Sequence, residues 1–163
     1  MRDFLVNFEV NTIQSVIVFL YDKNNQFLFH LRDGNPDIIF PNHWGLFGGE
    51  MMKNESPKSA AIRELQEEIE YVPEEILEFR SYHRQDLLKG KLQNYCIKAF
   101  YGKLKVEKSE LALNEGADLG IFSVDECYSG QMFSSRFQKK FPIIPHLFDI
   151  LNEFLNESPH LVI

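Results

Sequence analysis

GEMMKNESPKSAAIRELQEEIEY, residues Gly49 to Tyr71, is the stretch on which the reading of this chain turns. It opens at a glycine pair, Gly48 and Gly49, and runs into a carboxylate-rich helix. Ser56 is a good N-cap, because its side-chain oxygen can take an N–H of the first turn that has no helical partner. Pro57 suits the first helical position, where no amide hydrogen is required. Ala60, Ala61, Ile62, Leu65 and Ile69 recur at helical spacing, and Pro73 stops the helix soon afterwards. Each helical residue advances about 100°. Glu64, Glu67 and Glu68, at i, i+3 and i+4, therefore share one face, and Ala61, Leu65 and Ile69 share the neighbouring one.

Three anions so close repel one another, by a few tenths of a kcal/mol per pair on an isolated helix. A cation among them removes the penalty, and hard oxygen ligands of this kind suit Mg²⁺ or Mn²⁺. The competing reading is a solvated helix face salted by Lys58 and Arg63. The glycines in front and the arginine set against Glu64 are what a solvated face leaves unexplained. Glycines at 48 and 49 let main chain approach an ion and turn sharply before the helix.

The rest of the composition sets bounds. At 163 residues the chain is expected to form a single domain, 1–163, with one sizeable core. Apolar residues make up 44 % and charged residues 25 %, the balance of a soluble globular protein. The net charge of −7 argues against a nucleic-acid polymer as partner, since that needs a basic footprint. An anionic small molecule then calls for a bridging cation. Cys96 and Cys127 fit no ligand spacing and read as a reduced pair. The N-terminus MRDFLVNFEV lacks a signal-peptide core, and no apolar run reaches the length of a membrane span, so the expected location is cytoplasmic with no membrane partner.

Taken in order, Thr12 to Tyr21 reads as a buried strand, and Gln26 to Leu31 as its hairpin partner across Asp22–Asn25. Arg32 to Pro41 is loop, and Asn42 to Gly49 a short aromatic, Gly-rich segment. Beyond the helix, Ile76 to Asp86 and Leu92 to Leu104 read as long strands joined around Lys89–Gly90. Lys105 to Asp118 is polar and carries Glu115–Gly116. Leu119 to Phe122 suggests a short strand, and Ser123 to Glu126 a capping box that starts a short helix. Ser129 to Lys140 reads as loop, and Pro142 to Leu155 as an amphipathic helix. Strands, helix, strands, helix predict an α/β (α+β type) fold, a mixed sheet with helices packed on it.

The central stretch resembles the Nudix box, G-x5-E-x7-R-E-U-x-E-E-x-G-U with U a bulky apolar residue. Gly49, Glu55, Arg63, Glu64, Leu65, Glu67, Glu68 and Tyr71 fall on the matching positions, and Glu70 stands where the pattern has its late glycine. The order of elements is similar to the Nudix fold, a mixed β-sheet sandwiched between α-helices. The resemblance implies a pyrophosphohydrolase that uses Mg²⁺ or Mn²⁺ to cleave a nucleoside diphosphate linked to another group. It implies Glu64, Glu67 and Glu68 as catalytic metal ligands, with the carbonyl of Gly48 as a further ligand and Glu115 as the best candidate for a late-loop glutamate. Glu55 and Arg63 become a brace between loop and helix, and a homodimer is compatible with the family.

The flanks are less marked. Arg32 is a candidate phosphate contact or an exposed ion-pair partner. Trp44 and Phe47 are either substrate contacts or packing under the glycine loop, and the packing role is the expected one. Tyr82 lies on a strand where such a family often has a pocket wall, and His146 reads as a structural or surface residue rather than a metal ligand. The alternative function is a Nudix-fold binding or regulatory module without turnover. An isoprenoid diphosphate isomerase of the same fold fits poorly, since it resembles a pattern with an early catalytic cysteine that Cys96 and Cys127 do not match.

Overall fold

A computed structural model describes residues 11–88 and 90–158. The N-terminal segment read above for a signal peptide, and Lys89 of the expected turn, lie outside the described residues.

Strand β1 (Thr12–Tyr21) is the centre of a seven-stranded mixed sheet. It runs parallel to β6 (Lys91–Lys103) along its whole length, from Thr12 opposite Asn94 to Tyr21 opposite Lys103. Its other edge pairs antiparallel with β4 (Phe47–Glu50) and then with β2 (Phe27–Leu31). Strand β5 (Leu77–Leu88) flanks β6, while β3 (Trp44–Gly45) and β7 (Asp118–Phe122) flank β2.

A strand covered on both faces needs apolar residues at every position, which is why β1 reads as a continuous run. Val16, Val18 and Leu20 meet helix α1 (Pro57–Ile69) through Ala60, Ala61, Leu65 and Ile69. Ile17, Phe19 and Tyr21 face helix α3 (Pro145–Glu157) through Leu147, Ile150, Leu151 and Phe154. Phe154 stacks on Phe19 at 4.4 Å and meets Phe27 and Phe79 edge-on. The expected architecture, a mixed sheet between helices, is the one found.

Ser129–Lys140, expected as loop, is corrected. Helix α2 (Val124–Ser129) ends at Gly130, and a hairpin follows, β8 (Gln131–Ser134) with β9 (Lys139–Pro142). Four-residue strands are too short to display a period of two, so the alternation that buries Met132 and Ser134 leaves no clear signal in the sequence. The hairpin also delays the last helix, expected from Pro142, to Pro145. Lys139–Pro142 are paired, and Ile143 and Ile144 bond to Gly130 and Trp44 before the helix begins. Among the described residues, no helix is long and apolar enough to cross a membrane.

Helix α1 starts as expected, with the Ser56 hydroxyl accepting the Ser59 N–H. Its C-cap is Glu70, which takes the left-handed conformation that a glycine would favour, at φ 54°, ψ 34°. The last carbonyls are not left open. Ala112 N–H donates to Ile69 O, Asn114 N–H to Glu68 O, and the Asn114 amide to Glu67 O. A left-handed non-glycine costs about 1–2 kcal/mol. Glu70→Gly is therefore expected to stabilise the protein by about 1 kcal/mol after the extra chain entropy of glycine is charged. That is a rise of about 2–4 °C in Tm by calorimetry, and an unchanged or lower Tm refutes the strain argument.

Candidate active site

The site is built where β4 meets α1. Gly48 has φ 142°, and a Cβ on it would stand 2.0 Å from the Val16 carbonyl oxygen. A Cβ on Gly49 would meet Glu64 Oε1 at 2.6 Å. The two bare positions let the helix glutamates press against the strand. Gly48 N–H donates to Glu68 Oε2 at 3.0 Å.

Arg63 is the hub of the cluster. Its Nε and Nη2 form a fork on Glu55, at 2.7 Å and 3.0 Å. Nη1 reaches Glu64 at 2.8 Å and Glu67 at 3.3 Å, and Nη2 also donates to the Glu50 carbonyl. Glu55 in turn accepts the Met52 N–H at 2.8 Å, so the 50–55 loop is tied to the helix. The Arg63 hydrogen bonds hold the Glu55 carboxyl below its usual range, and Glu55 raises Arg63 in exchange.

The three helix carboxylates differ sharply in setting. The Glu67 side chain is 58 % exposed, whereas Glu68 is 3 % exposed. Burial pushes Glu68 up to about 8, helped by the charges of Glu115 and Glu64 and opposed by the Gly48 N–H. Burial also raises Glu64, against the pull of Arg63, and Glu67 and Glu115 add to the rise. Glu115 thus acts electrostatically on both inner carboxylates. Its loop reaches them because Asn114, next in sequence, is bonded to the end of α1.

A divalent ion would find a suitable donor set here, carboxylates of Glu64, Glu67, Glu68 and Glu115 beside a glycine main chain. Burial is the main reason Glu64 and Glu68 are raised, and the neighbouring carboxylates add to the rise, so a cation among them would favour their charged forms. Among the described residues, no three acid, histidine or cysteine side chains converge closely enough to form a ready metal site. Mg²⁺ requires no such cage, since it commonly keeps several waters and uses one or two carboxylates.

Of the flanking residues, Arg32 lies near enough for its charge to act on Glu68 and His30. Its Nε is spent on the Ile39 carbonyl, at 2.8 Å, which folds the 32–42 loop and leaves the terminal nitrogens for other partners. Trp44 and Phe47 are both fully buried, so the substrate-contact alternative for them is corrected to packing. Trp44 donates Nε1–H to the Met132 carbonyl and lies against Phe122 on the α3 face. Phe47 lies on the α1 face. Tyr82 is buried on the α3 face as well, and its ring carries the Arg84 guanidinium, 5.7 Å from centroid. His146 is partly buried near Asp86, Arg84 and Asp149, with Phe40 against its ring. A separate concavity of about 740 Å³ opens at the far end of β1, lined by Lys23, Lys103 and Lys105 among others, and touches none of Glu64, Glu67, Glu68 and Glu115.

Two residues of the site were not anticipated. Asn114 carries no motif. His30 had a faint signal, a polar residue inside the apolar run Gln26 to Leu31.

The NUDIX domain family model matches residues 11–145. The chain belongs to the Nudix family. Solved structures agree on the fold. A MutT protein from Methanosarcina mazei Go1 superposes with TM-score 0.69 at 19 % identity, over 92 % of this chain and 97 % of that one. The NUDIX domain of Shewanella oneidensis NrtR, complexed with ADP ribose, gives TM-score 0.63 at 15 % identity over 89 % of each chain. A C. elegans Ap4A hydrolase, solved as a binary complex, gives 0.60 at 16 % over 88 % of this chain and 95 % of that one. No curated protein sequence matches the chain.

Proposed function

We propose that the protein is a metal-dependent Nudix pyrophosphohydrolase. It takes a small nucleoside diphosphate derivative, of the nucleoside triphosphate, nucleotide sugar, ADP-ribose or dinucleotide type, and cleaves the diphosphate by attack of water at phosphorus. The observation that carries the reading is Glu68. A carboxylate 3 % exposed, facing Glu64 and Glu115 with no cation bonded to it, is costly to keep and makes sense as a ligand.

Mg²⁺ or Mn²⁺, when bound, would neutralise phosphoryl charge and make a water more acidic. The chain's own residues supply the rest. Glu64, Glu67, Glu68, Glu115 and the Gly48 carbonyl hold the cation at the strand–helix junction. A carboxylate of this set beside the attacking water takes its proton. Arg32 offers guanidinium N–H donors to a phosphate that an acidic protein would otherwise repel. Burial of Glu64 and Glu68 keeps bulk water from screening these charges.

The test is a panel of such nucleotides with Mg²⁺ or Mn²⁺, followed by identification of the phosphate fragments released. No product from any of them with the wild-type chain, or equal activity in Glu67→Gln and Glu68→Gln, sinks the proposal. A second reading, a Nudix-fold binding module without turnover, draws on Arg63, which already engages Glu64 and Glu67. It predicts calorimetric binding of a nucleotide with no product formed.

The brace has its own expected result. Glu55→Gln removes the charge that locks Arg63 and leaves a single oxygen where Arg63 and the Met52 N–H now share two. We expect about tenfold weaker Mn²⁺ binding, by electron paramagnetic resonance, as is usual when a partner of a metal ligand is lost. The Met52 amide should also exchange faster with solvent. Unchanged affinity with a freely exchanging Met52 would separate the loop from the cation. Both cysteines are free and buried, which supports a reducing, cytoplasmic setting.

A further inference from the structure

His30 sits on β2, 4 % exposed, with its ring stacked on Phe47 at 5.3 Å and 28°. Nε2 lies 3.1 Å from the Leu46 carbonyl, an acceptor, so Nε2 carries the proton and donates it. Burial holds the imidazole neutral, at about 4. The other nitrogen, Nδ1, is then a bare lone pair, buried and without a partner. Buried polar atoms seldom stay unmet, and one that does calls for an explanation.

What faces Nδ1 is the loop of Glu115. A Cβ on Gly116 would stand 3.1 Å from Nδ1 and 2.7 Å from the Leu31 carbonyl oxygen. Gly116 has φ 95°, a conformation that leaves its peptide planes unobstructed by a side chain. The loop is pinned on both sides, by Asn114 N–H to Glu68 O at 2.9 Å and by Ala117 N–H to Leu31 O at 2.7 Å. Only Glu115 and Gly116 lie between the pins. The imidazole therefore abuts a two-residue hinge that carries the carboxylate acting on Glu64 and Glu68. Through Leu46 and Phe47 the same ring touches the strand that leads into Gly48.

We propose that His30 is a positioning residue for the late loop: its Nδ1 accepts the Gly116 N–H when Glu115 closes on a divalent cation at the helix carboxylates, and so sets how firmly that cation is held. This rests on the cation reading above. It assigns the orphan acceptor a donor on the residue whose Cβ position lies 3.1 Å from it. It also explains why position 116 is glycine, since a Cβ there would meet Nδ1 and the Leu31 carbonyl.

The test uses the full chain and Mn²⁺ affinity measured by electron paramagnetic resonance. His30→Gln keeps an N–H₂ donor for Leu46 and removes the Nδ1 acceptor. Its affinity should fall about tenfold, and Glu115→Gln should fall at least as far. The double variant should bind no more weakly than Glu115→Gln alone, because a residue that acts only through Glu115 has nothing further to lose. A general packing defect would instead add its loss to that of Glu115→Gln. Nuclear magnetic resonance of the wild type, with Mg²⁺ titrated in, supplies a readout that needs no variant. The Gly116 amide proton should move downfield as the bond to His30 forms, together with an upfield change in the Nδ1 resonance. Wild-type affinity in His30→Gln, additive losses, or a Gly116 amide indifferent to Mg²⁺ would each overturn the proposal while leaving the enzyme reading intact. A wild-type chain that binds neither ion overturns the cation reading itself.

Discussion

Glu68→Gln is expected to cut turnover about a thousandfold and to leave the fold standing. Glutamine retains an oxygen to accept the Gly48 N–H and fills the same volume, so the junction of β4 and α1 keeps its geometry. What disappears is the buried negative charge. Losing a ligand of the cation that would neutralise phosphoryl charge is expected to cost about 4 kcal/mol of barrier, or about a thousandfold in kcat. Stability should move the other way. Folded Glu68 titrates at about 8 against an ordinary 4.5, so the folded chain binds more protons than the unfolded one between those values. In the metal-free wild type this contribution is whole at low pH and is lost as pH climbs through about 8. The glutamine variant has no such loss. Melting in EDTA should show its Tm advantage growing from pH 5 to pH 9. A variant that keeps more than a tenth of wild-type activity, or melts lower at every pH, contradicts this account of the residue.

The largest structural effect is expected at Gly48. In Gly48→Ala the new methyl carbon would sit 2.0 Å from the Val16 carbonyl oxygen and within 3 Å of two further backbone atoms of β1. Those atoms belong to the central strand, which is held by β6 along its length. Neither partner can step aside, and φ 142° is itself unfavourable to a side chain. A loss of about 4 kcal/mol or more follows, a severe case for one methyl group. Tm should fall by roughly 8–16 °C. Gly49→Ala is the contrast. Its methyl meets the tip of the Glu64 carboxylate at 2.6 Å, and a side-chain tip can swing away. Tm should change far less, while Mn²⁺ affinity drops because Glu64 is displaced. Equal Tm losses in the two variants would show that the β1 contact is not the controlling one.

How much of this could be read beforehand depended on the range of the interaction. The start of the α1 helix was legible to the residue, because its cap, its first proline and its apolar stripe are local. The pairing of Glu55 with Arg63 was legible through the box pattern, and the structure supplies its form, a two-nitrogen fork. The long strands were placed to within a few residues. The β8–β9 hairpin was not, since each strand is too short to show a period. Trp44 and Phe47 gave no sign of which way they point, and adjacent strands decide that by burying one on each face.

The sequence alone determined the parts whose cause is local: a capped helix with three glutamates on one face, glycines before it, and an apolar central strand. The family follows from those parts. Tertiary structure alone decided what depends on two distant segments meeting. It made Glu68 buried and Glu67 exposed, although both lie on the same helix face. It brought Glu115 to them by using Asn114 to close the helix end that Glu70 leaves in a strained turn. It also placed the His30 lone pair against that loop. Burial and long-range hydrogen bonds are properties of packed pairs, and no spacing along one chain encodes them by itself.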